Sequence, residues 1–317
     1  MKHFSLLLIL FCSLQSMAQL PNRVIYLTNE KISVGILKDV GGRIVFFGKP
    51  GGENFLYSDS ALWNEPEERR VVPSARGFNK PYFGFITWAG PQSQWWNFQN
   101  LNPRRKNAVW PPDPYFEFGA FEIKNQTPTS LTIVGPVSEI SGLQLTKSFT
   151  LNDNKLEIKV SAVNGRTESV SWDLWSNLRF EAHTKFWIPA SEKKLIKVEK
   201  EETDVRGFVP HSFVGNEFKF LPPASTSKML ISKAFLYPNE GAFYIQKESG
   251  MMVVKFDLID QKLIHPEQAI VEVYNCITPS GKADDILELE HHSAFKTLQP
   301  GENMELSETW EIRPVEK

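Results

Sequence analysis

Residues 285–298 read DILELEHHSAFKTL, and they hold the clearest candidate for acid/base chemistry. On an extended strand Leu287 and Leu289 point one way while Glu288, Glu290 and His292 point the other. A Glu with a His two residues along shares one face with it. Such a pair can move protons in general acid/base catalysis once burial tunes its pKa. The competing reading is a solvated polar strand face. A second stretch, ESVSWDLWSNLRF (168–180), sorts in the same way. Val170, Trp172 and Leu174 form an apolar face. Ser171, Asp173, Trp175, Asn177 and Arg179 line the opposite one, with an acid, an amide, a guanidinium and an indole together. That combination suits a polar cleft; a solvated outer face carrying one Trp is the alternative.

The third candidate is ITWAGPQSQWWNFQNLNPRRKNAVWPPDP (86–114), which contains four of the nine tryptophans. Trp88, Trp95, Trp96 and Trp110 alternate there with Gln92, Asn97, Arg104, Arg105 and Asp113. Aromatic faces stack on the C–H faces of sugar rings, while amides, guanidinium groups and carboxylates bond the hydroxyls. The alternative is that the indoles pin a long loop onto the body of the protein. Arg43, Arg104 and Arg105 extend the ligand class to an acidic sugar, because Arg pairs with carboxylate and sulfate in bidentate fashion. No metal is expected, since adjacent His291 and His292 on a strand face opposite ways. HExxH, CxxC, GxSxG and phosphate-loop motifs are all absent, and no cofactor is implied.

The elements that must position these residues are short runs with a period near two. Examples are KISVGILKDV (31–40), LQLTKSFTL (143–151), KLEIKVSAVN (155–164), KMLISKAFL (228–236), AIVEVYNC (269–276) and MELSETWEI (304–312). All are rich in β-branched and aromatic residues and are separated by Gly, Pro, Asn and Asp. No segment carries a helical period over three turns, so the class is all-β with no substantial helices. Fourteen or so strands exceed an immunoglobulin-like sandwich, and no repeat suggests a propeller. One large antiparallel sandwich is expected. Residues 58–81 and 89–118 are its long loops, and loops of that length are usually functional.

The 317-residue chain has a formal charge of −2 and 23% charged residues, which excludes a basic nucleic-acid binder. Met1-Lys2-His3, the apolar run Phe4–Leu14 and Ser16-Met17-Ala18 form a secretory signal peptide cut after Ala18. Its apolar run is too short to span a bilayer, and no other run approaches membrane length. Cleavage leaves Cys276 as the one cysteine, so stability rests on a packed core rather than a disulfide. The expected location is the periplasm or the extracellular space.

Several segments together resemble the galactose mutarotase-like (aldose 1-epimerase) superfamily. KDVGGRIV (38–45) followed by ENFL (53–56) is similar to that superfamily's opening. ILELEHHSAFKTLQPGENMELSETWEI (286–312) is similar to its close. TWAGPQSQWW, WPPDP and SWDLWSN look most like an exported, domain-of-unknown-function branch. The resemblance runs from about residue 23 to 313. It implies a β-supersandwich over residues 19–317, a single carbohydrate-binding domain with the sugar in a cleft on one sheet. It also implies that Glu290 takes the proton of the anomeric hydroxyl. The mid-chain histidine that protonates the ring oxygen has no counterpart in Ser-Trp-Asp-Leu-Trp-Ser-Asn, which leaves Asp173, His183 or His292 as the acid. Trp88, Gln92, Trp95, Trp96, Arg104, Trp110, Trp175, Asn177, Arg179 and Arg43 are the expected sugar contacts. Two functions stay open. One is an aldose 1-epimerase-like enzyme; the other is a non-catalytic glycan-binding protein serving polysaccharide utilisation.

Overall fold

The computed structural model describes residues 23–196, 209–279 and 285–314, and the expected signal peptide lies outside them. In chain order the first strands are β1 (Ile25–Thr28), β2 (Ser33–Leu37), β3 (Arg43–Gly48), β4 (Phe85–Gly90), β5 (Glu122–Gln126) and β6 (Ser130–Val137). Next come β7 (Leu143–Asn152), β8 (Lys155–Asn164), β9 (Val170–Glu181), β10 (Lys185–Pro189), β11 (His211–Val214) and β12 (Glu217–Phe220). The chain closes with β13 (Leu230–Leu236), β14 (Ala242–Lys247), β15 (Gly250–Phe256), β16 (Val271–Ile277), β17 (Ile286–His292), β18 (Lys296–Leu298) and β19 (Asn303–Arg313). Among the described residues the one α-helix, α1, is Pro114–Phe118, and no helix is long and apolar enough to cross a membrane.

These strands form two antiparallel sheets. The first runs β1-β2-β3-β4-β9-β17-β16-β13, with β18 also paired to β9. The second runs β11-β12-β10-β14-β15-β19-β8-β7-β6-β5. This is the expected large sandwich, with short strands the sequence pattern did not reveal, β1, β4, β5, β10, β11, β12 and β18. The most consequential of these is β4, because it puts Phe85–Gly90, whose last two residues were expected to open the long loop, into the sheet. Trp88 therefore stands on a strand, paired with Trp175 across the ladder.

Burial explains the two kinds of strand. On β8 alternate residues are buried and exposed, so one face meets the core and the other meets water. On β9 every residue from Trp172 to Phe180 is buried, because loops cover the outer face too. Leu174, Leu178 and Phe180 face the second sheet, where Trp310 packs edge-on against Phe47 and Phe85 at 5.1 and 5.2 Å between ring centres. Between the sheets sits one polar cluster: His291 Nε2 lies 2.8 Å from Glu308 Oε2, and Ser176 Oγ donates to the same carboxylate. His291 and His292 thus do face opposite ways.

Candidate functional site

A cavity of about 430 Å³ opens on the outer face of the first sheet. Its floor comes from alternate residues of four adjacent strands: Trp175 and Arg179 on β9, Glu288 and Glu290 on β17, Glu272 and Tyr274 on β16, and Ile231 and Lys233 on β13. The period-two geometry of each strand aims these side chains the same way. One wall is the Trp-rich segment, with Gln92, Trp95 and Trp110 beside Trp88 of β4. Residues 78–81, Phe83 and Arg43 complete it.

The floor is a continuous line of charged contacts. Arg179 Nε donates to Glu288 Oε1 at 2.8 Å. Asn177 Nδ2 donates to Glu288 Oε2 at 3.2 Å and to Glu290 Oε1 at 2.8 Å, holding two like-charged carboxylates in one place. Lys233 Nζ lies 3.5 Å from Glu290 Oε2 and 2.7 Å from Glu272 Oε2. Behind Glu272, His292 Nε2 sits 3.3 Å from Oε1, and its Nδ1 is 3.1 Å from Asp173 Oδ1. Burial alone would drive a proton off His292, but Asp173 and Glu272 outweigh it and raise its pKa from 6.5 to about 9. Burial works against ionised Glu272 as well, yet Lys233 and His292 bring its pKa down to about 2.

The Trp wall has its own support. Glu117 of α1 accepts from Arg43 Nη2 at 2.6 Å and from the Trp88 indole. Burial opposes its charge, while Arg43 and Arg179 hold its carboxyl below the usual range. The Arg179 guanidinium lies 4.8 Å from the Trp88 ring centre and Lys233 Nζ 4.9 Å from that of Trp175. Trp88, Trp95, Trp110 and Trp175 pack on one another with ring centres 5.2 to 6.3 Å apart. Of the four, Trp110 is the exposed one, at 46%, and it stands at the mouth with Phe78, Val109 and Met229.

Of the residues expected at the site, Trp88, Gln92, Trp95, Trp110, Trp175, Arg179, Arg43 and Glu290 line the cavity. Asn177 lies in the floor beneath Glu288 and Glu290. Asp173 and His292 are fully buried a layer further in, with Glu272 between His292 and the cavity, so neither presents itself on its wall. Two expected contacts are elsewhere. Trp96 is fully buried and donates to Pro111 O at 2.7 Å, pinning the loop. Arg104 is exposed in the short turn Pro103–Arg105, outside the cavity lining. Arg105 also serves the loop, donating to Trp110 O at 2.9 Å and lying over Trp96.

Sequence reasoning missed Glu117, Lys233, Glu272 and Gln268. Lys233 and Glu272 carried a usable signal, each being a charge inside a period-two run, Lys233 between Ile231 and Phe235 on its face and Glu272 between Val271 and Val273. Gly90 was a further one. It faces Asp173 across the β4–β9 ladder, and a Cβ there would come within 2.5 Å of Gln268 Nε2 and 2.6 Å of Asp173 Oδ1. Only a residue without a side chain lets those groups close around His292.

Solved structures share this architecture. A galactose mutarotase-like protein from Lactobacillus casei is 12% identical with a TM-score of 0.58, covering 92% of this chain and 100% of its own. An aldose epimerase homologue from C. elegans is 13% identical with a TM-score of 0.55, covering 92% and 99%. A galactose mutarotase-like protein from Clostridium acetobutylicum is 12% identical with a TM-score of 0.55, covering 92% and 95%. At such identities the likeness establishes the fold, a galactose mutarotase-like sandwich. No curated protein matches the chain. The model of one family, described as a domain of unknown function (DUF4380), matches residues 22–313, and the chain belongs to that family.

Proposed function

We propose that the protein binds a neutral sugar or the end of an oligosaccharide in this cavity, acting after export to the periplasm or beyond the cell. The observation that carries the reading is a set of buried polar atoms on cavity-lining residues with no protein partner: Arg43 Nε, Trp175 Nε1, Arg179 Nη1 and Gln268 Oε1. Buried polar groups are normally satisfied, so each of these calls for a water or a ligand atom as its partner. Three are donors and one is an acceptor, and the Glu288 and Glu290 carboxylates add acceptors. Sugar hydroxyls donate and accept at once, and the indole walls suit the C–H faces between them.

Charge argues for a neutral ligand over the acidic sugar expected from Arg43, Arg104 and Arg105. Each cation on the cavity lining carries its own carboxylate: Arg43 has Glu117, Lys80 has Glu65, Arg179 has Glu288, and Lys233 has Glu272 and Glu290. A uronate would enter beside carboxylates with no surplus cation to meet it. Titration of the Trp fluorescence with neutral monosaccharides, their oligosaccharides and the matching uronates, checked by calorimetry, tests this. Saturable binding of neutral glycans is expected, weaker for uronates and weaker again in Arg179→Met. No response to any glycan would refute it.

A second reading, aldose 1-epimerase-like conversion, is favoured by one observation. Glu290, whose place in the closing strand matches the base of that superfamily, lines the cavity and is held by Asn177 at 2.8 Å.

A further inference from the structure

We propose that Lys233 is the acid that works opposite Glu290, a role that rests on the conversion reading above. An anomeric hydroxyl and a ring oxygen share one carbon, so a base and an acid that serve both must themselves be neighbours. Lys233 Nζ and Glu290 Oε2 are 3.5 Å apart, both on residues of the cavity lining. The strand geometry fixes them there: β13 aims Ile231, Lys233 and Phe235 at the cavity, and the Trp175 ring lies 4.9 Å under the ammonium.

The acids the sequence offered lie outside the cavity lining, His183 being exposed in the turn after β9. His292 is fully buried with Glu272 between it and the cavity, and Asp173 lies deeper still, against the far ring nitrogen. Arg179 and Arg43 present guanidinium groups, which bind through their donors and do not serve as proton-transfer acids. A lysine can give its proton up and take it back. Glu272 and His292 are then positioning residues. Glu272 holds Lys233 at 2.7 Å, and His292, clamped by Asp173, fixes the far oxygen of Glu272.

In the step itself, the Glu290 carboxylate takes the proton of the anomeric hydroxyl as the exocyclic C1–O bond becomes a carbonyl. The bond from C1 to the ring oxygen breaks, its electron pair stays on that oxygen, and the Lys233 ammonium protonates it. After rotation about C1–C2 the open-chain hydroxyl returns its proton to the Lys233 amine and attacks C1 from the other face. Glu290 then gives its proton back to the former carbonyl oxygen. Both residues end as they began, and nothing is oxidised or reduced.

The test follows anomeric interconversion of α-D-glucose, α-D-galactose and α-D-xylose by polarimetry, with sugar binding read in parallel by Trp fluorescence. Glu290→Gln is the reference for lost base. Lys233→Met is expected to lower the rate on the order of 100-fold, the scale of one acid/base group, with sugar affinity changed by less than about tenfold. Lys233→Arg should bind sugar and stay slow, because the guanidinium holds its proton. Lys233→Met leaves Glu272 short of a cation, so Lys233→Met/Glu272→Gln serves as a partner that folds without it and should be equally slow. Equal rates in wild type and Lys233→Met, with Glu290→Gln slow, would overturn the role of Lys233 and leave the conversion reading standing. Recovery of the rate in the double variant would assign Lys233 a structural role and also overturn it. Wild-type binding without acceleration would overturn both the acid role and conversion, leaving a binding protein. Neither binding nor acceleration would fail the sugar reading itself.

Discussion

His292 is the group whose behaviour best separates a fixed floor from a titrating one. Its imidazole is fully buried, 3.1 Å from Asp173 on one side and 3.3 Å from Glu272 on the other, with Lys233 beyond Glu272 and the Trp175 ring 5.0 Å away. Burial favours the neutral ring, and the two carboxylates override it, raising the pKa from 6.5 to about 9. A folded pKa above the unfolded one stabilises the native state at low pH. The contribution is full below the unfolded value of 6.5 and is lost as pH rises through 9. A shift of this size is worth about 3 kcal/mol when full, and roughly 2 to 3 kcal/mol of it disappears between pH 7 and pH 10. Wild type and His292→Gln should be unfolded in urea at each pH from 7 to 10. Their difference in stability is expected to shrink by that amount across the range, and the His292 Cε1–H resonance should titrate near 9. Parallel stability curves, or titration near 6.5, would refute the clamped imidazolium.

Three further perturbations follow from the same contacts. Arg43→Met breaks a buried pair with Glu117 at 2.6 Å and should cost about 3 to 5 kcal/mol in urea unfolding, with part recovered in Arg43→Met/Glu117→Gln. Lys147 is fully buried, donates to Gly41 O at 2.7 Å, and has its pKa lowered to about 7, first by burial and then by Arg43. A lowered lysine pKa penalises the fold most below 7 and less as pH rises, so Lys147→Met should gain about 3 kcal/mol more at pH 6 than at pH 9. Trp110 is half exposed at the mouth, so Trp110→Ala should leave Tm nearly unchanged while weakening glycan binding about fivefold, the worth of one aromatic contact; unchanged affinity would remove it from the site.

How much of the site was legible depended on whether a residue lay in a period-two run. Trp175, Arg179 and Glu290 could be put on one face from alternation alone, because β9 and β17 are long and regular enough to show it. The same alternation placed Asp173 and His292 on that face, but it gives direction and not depth, so their layer behind Glu272 was hidden. In the Trp-rich segment there is no period to use. Trp95 and Trp96 are adjacent in sequence, yet one lines the cavity and the other bonds Pro111 O, and composition treats them alike. Glu117 gave no signal at all, since a five-residue helix is too short to show a periodicity. Lys233 is visible in KMLISKAFL, but a lysine inside a short strand reads as a strand edge until β16 is laid beside it.

The charged floor also bears on function through its energetics. Ion pairs taken out of water repay their desolvation only when geometry is good, and hydrophobic replacements are often as stable. Yet Arg179, Lys233, Glu272, Glu288, Glu290 and His292 are all buried on one face of one sheet, while the opposite face of the same strands packs Leu174, Leu178, Leu287 and Leu289 into the core, with Ser176 and His291 bonded there to Glu308. The second face could have been filled in the same way. A sequence that gathers this many buried charges on one surface, beside a cavity walled by indoles, has that surface shaped by something other than stability. The pairs hold their charges in place before a ligand arrives, so the polar groups need little reorganisation to meet it. Such a floor serves binding and conversion alike; what distinguishes them is whether Lys233 releases its proton.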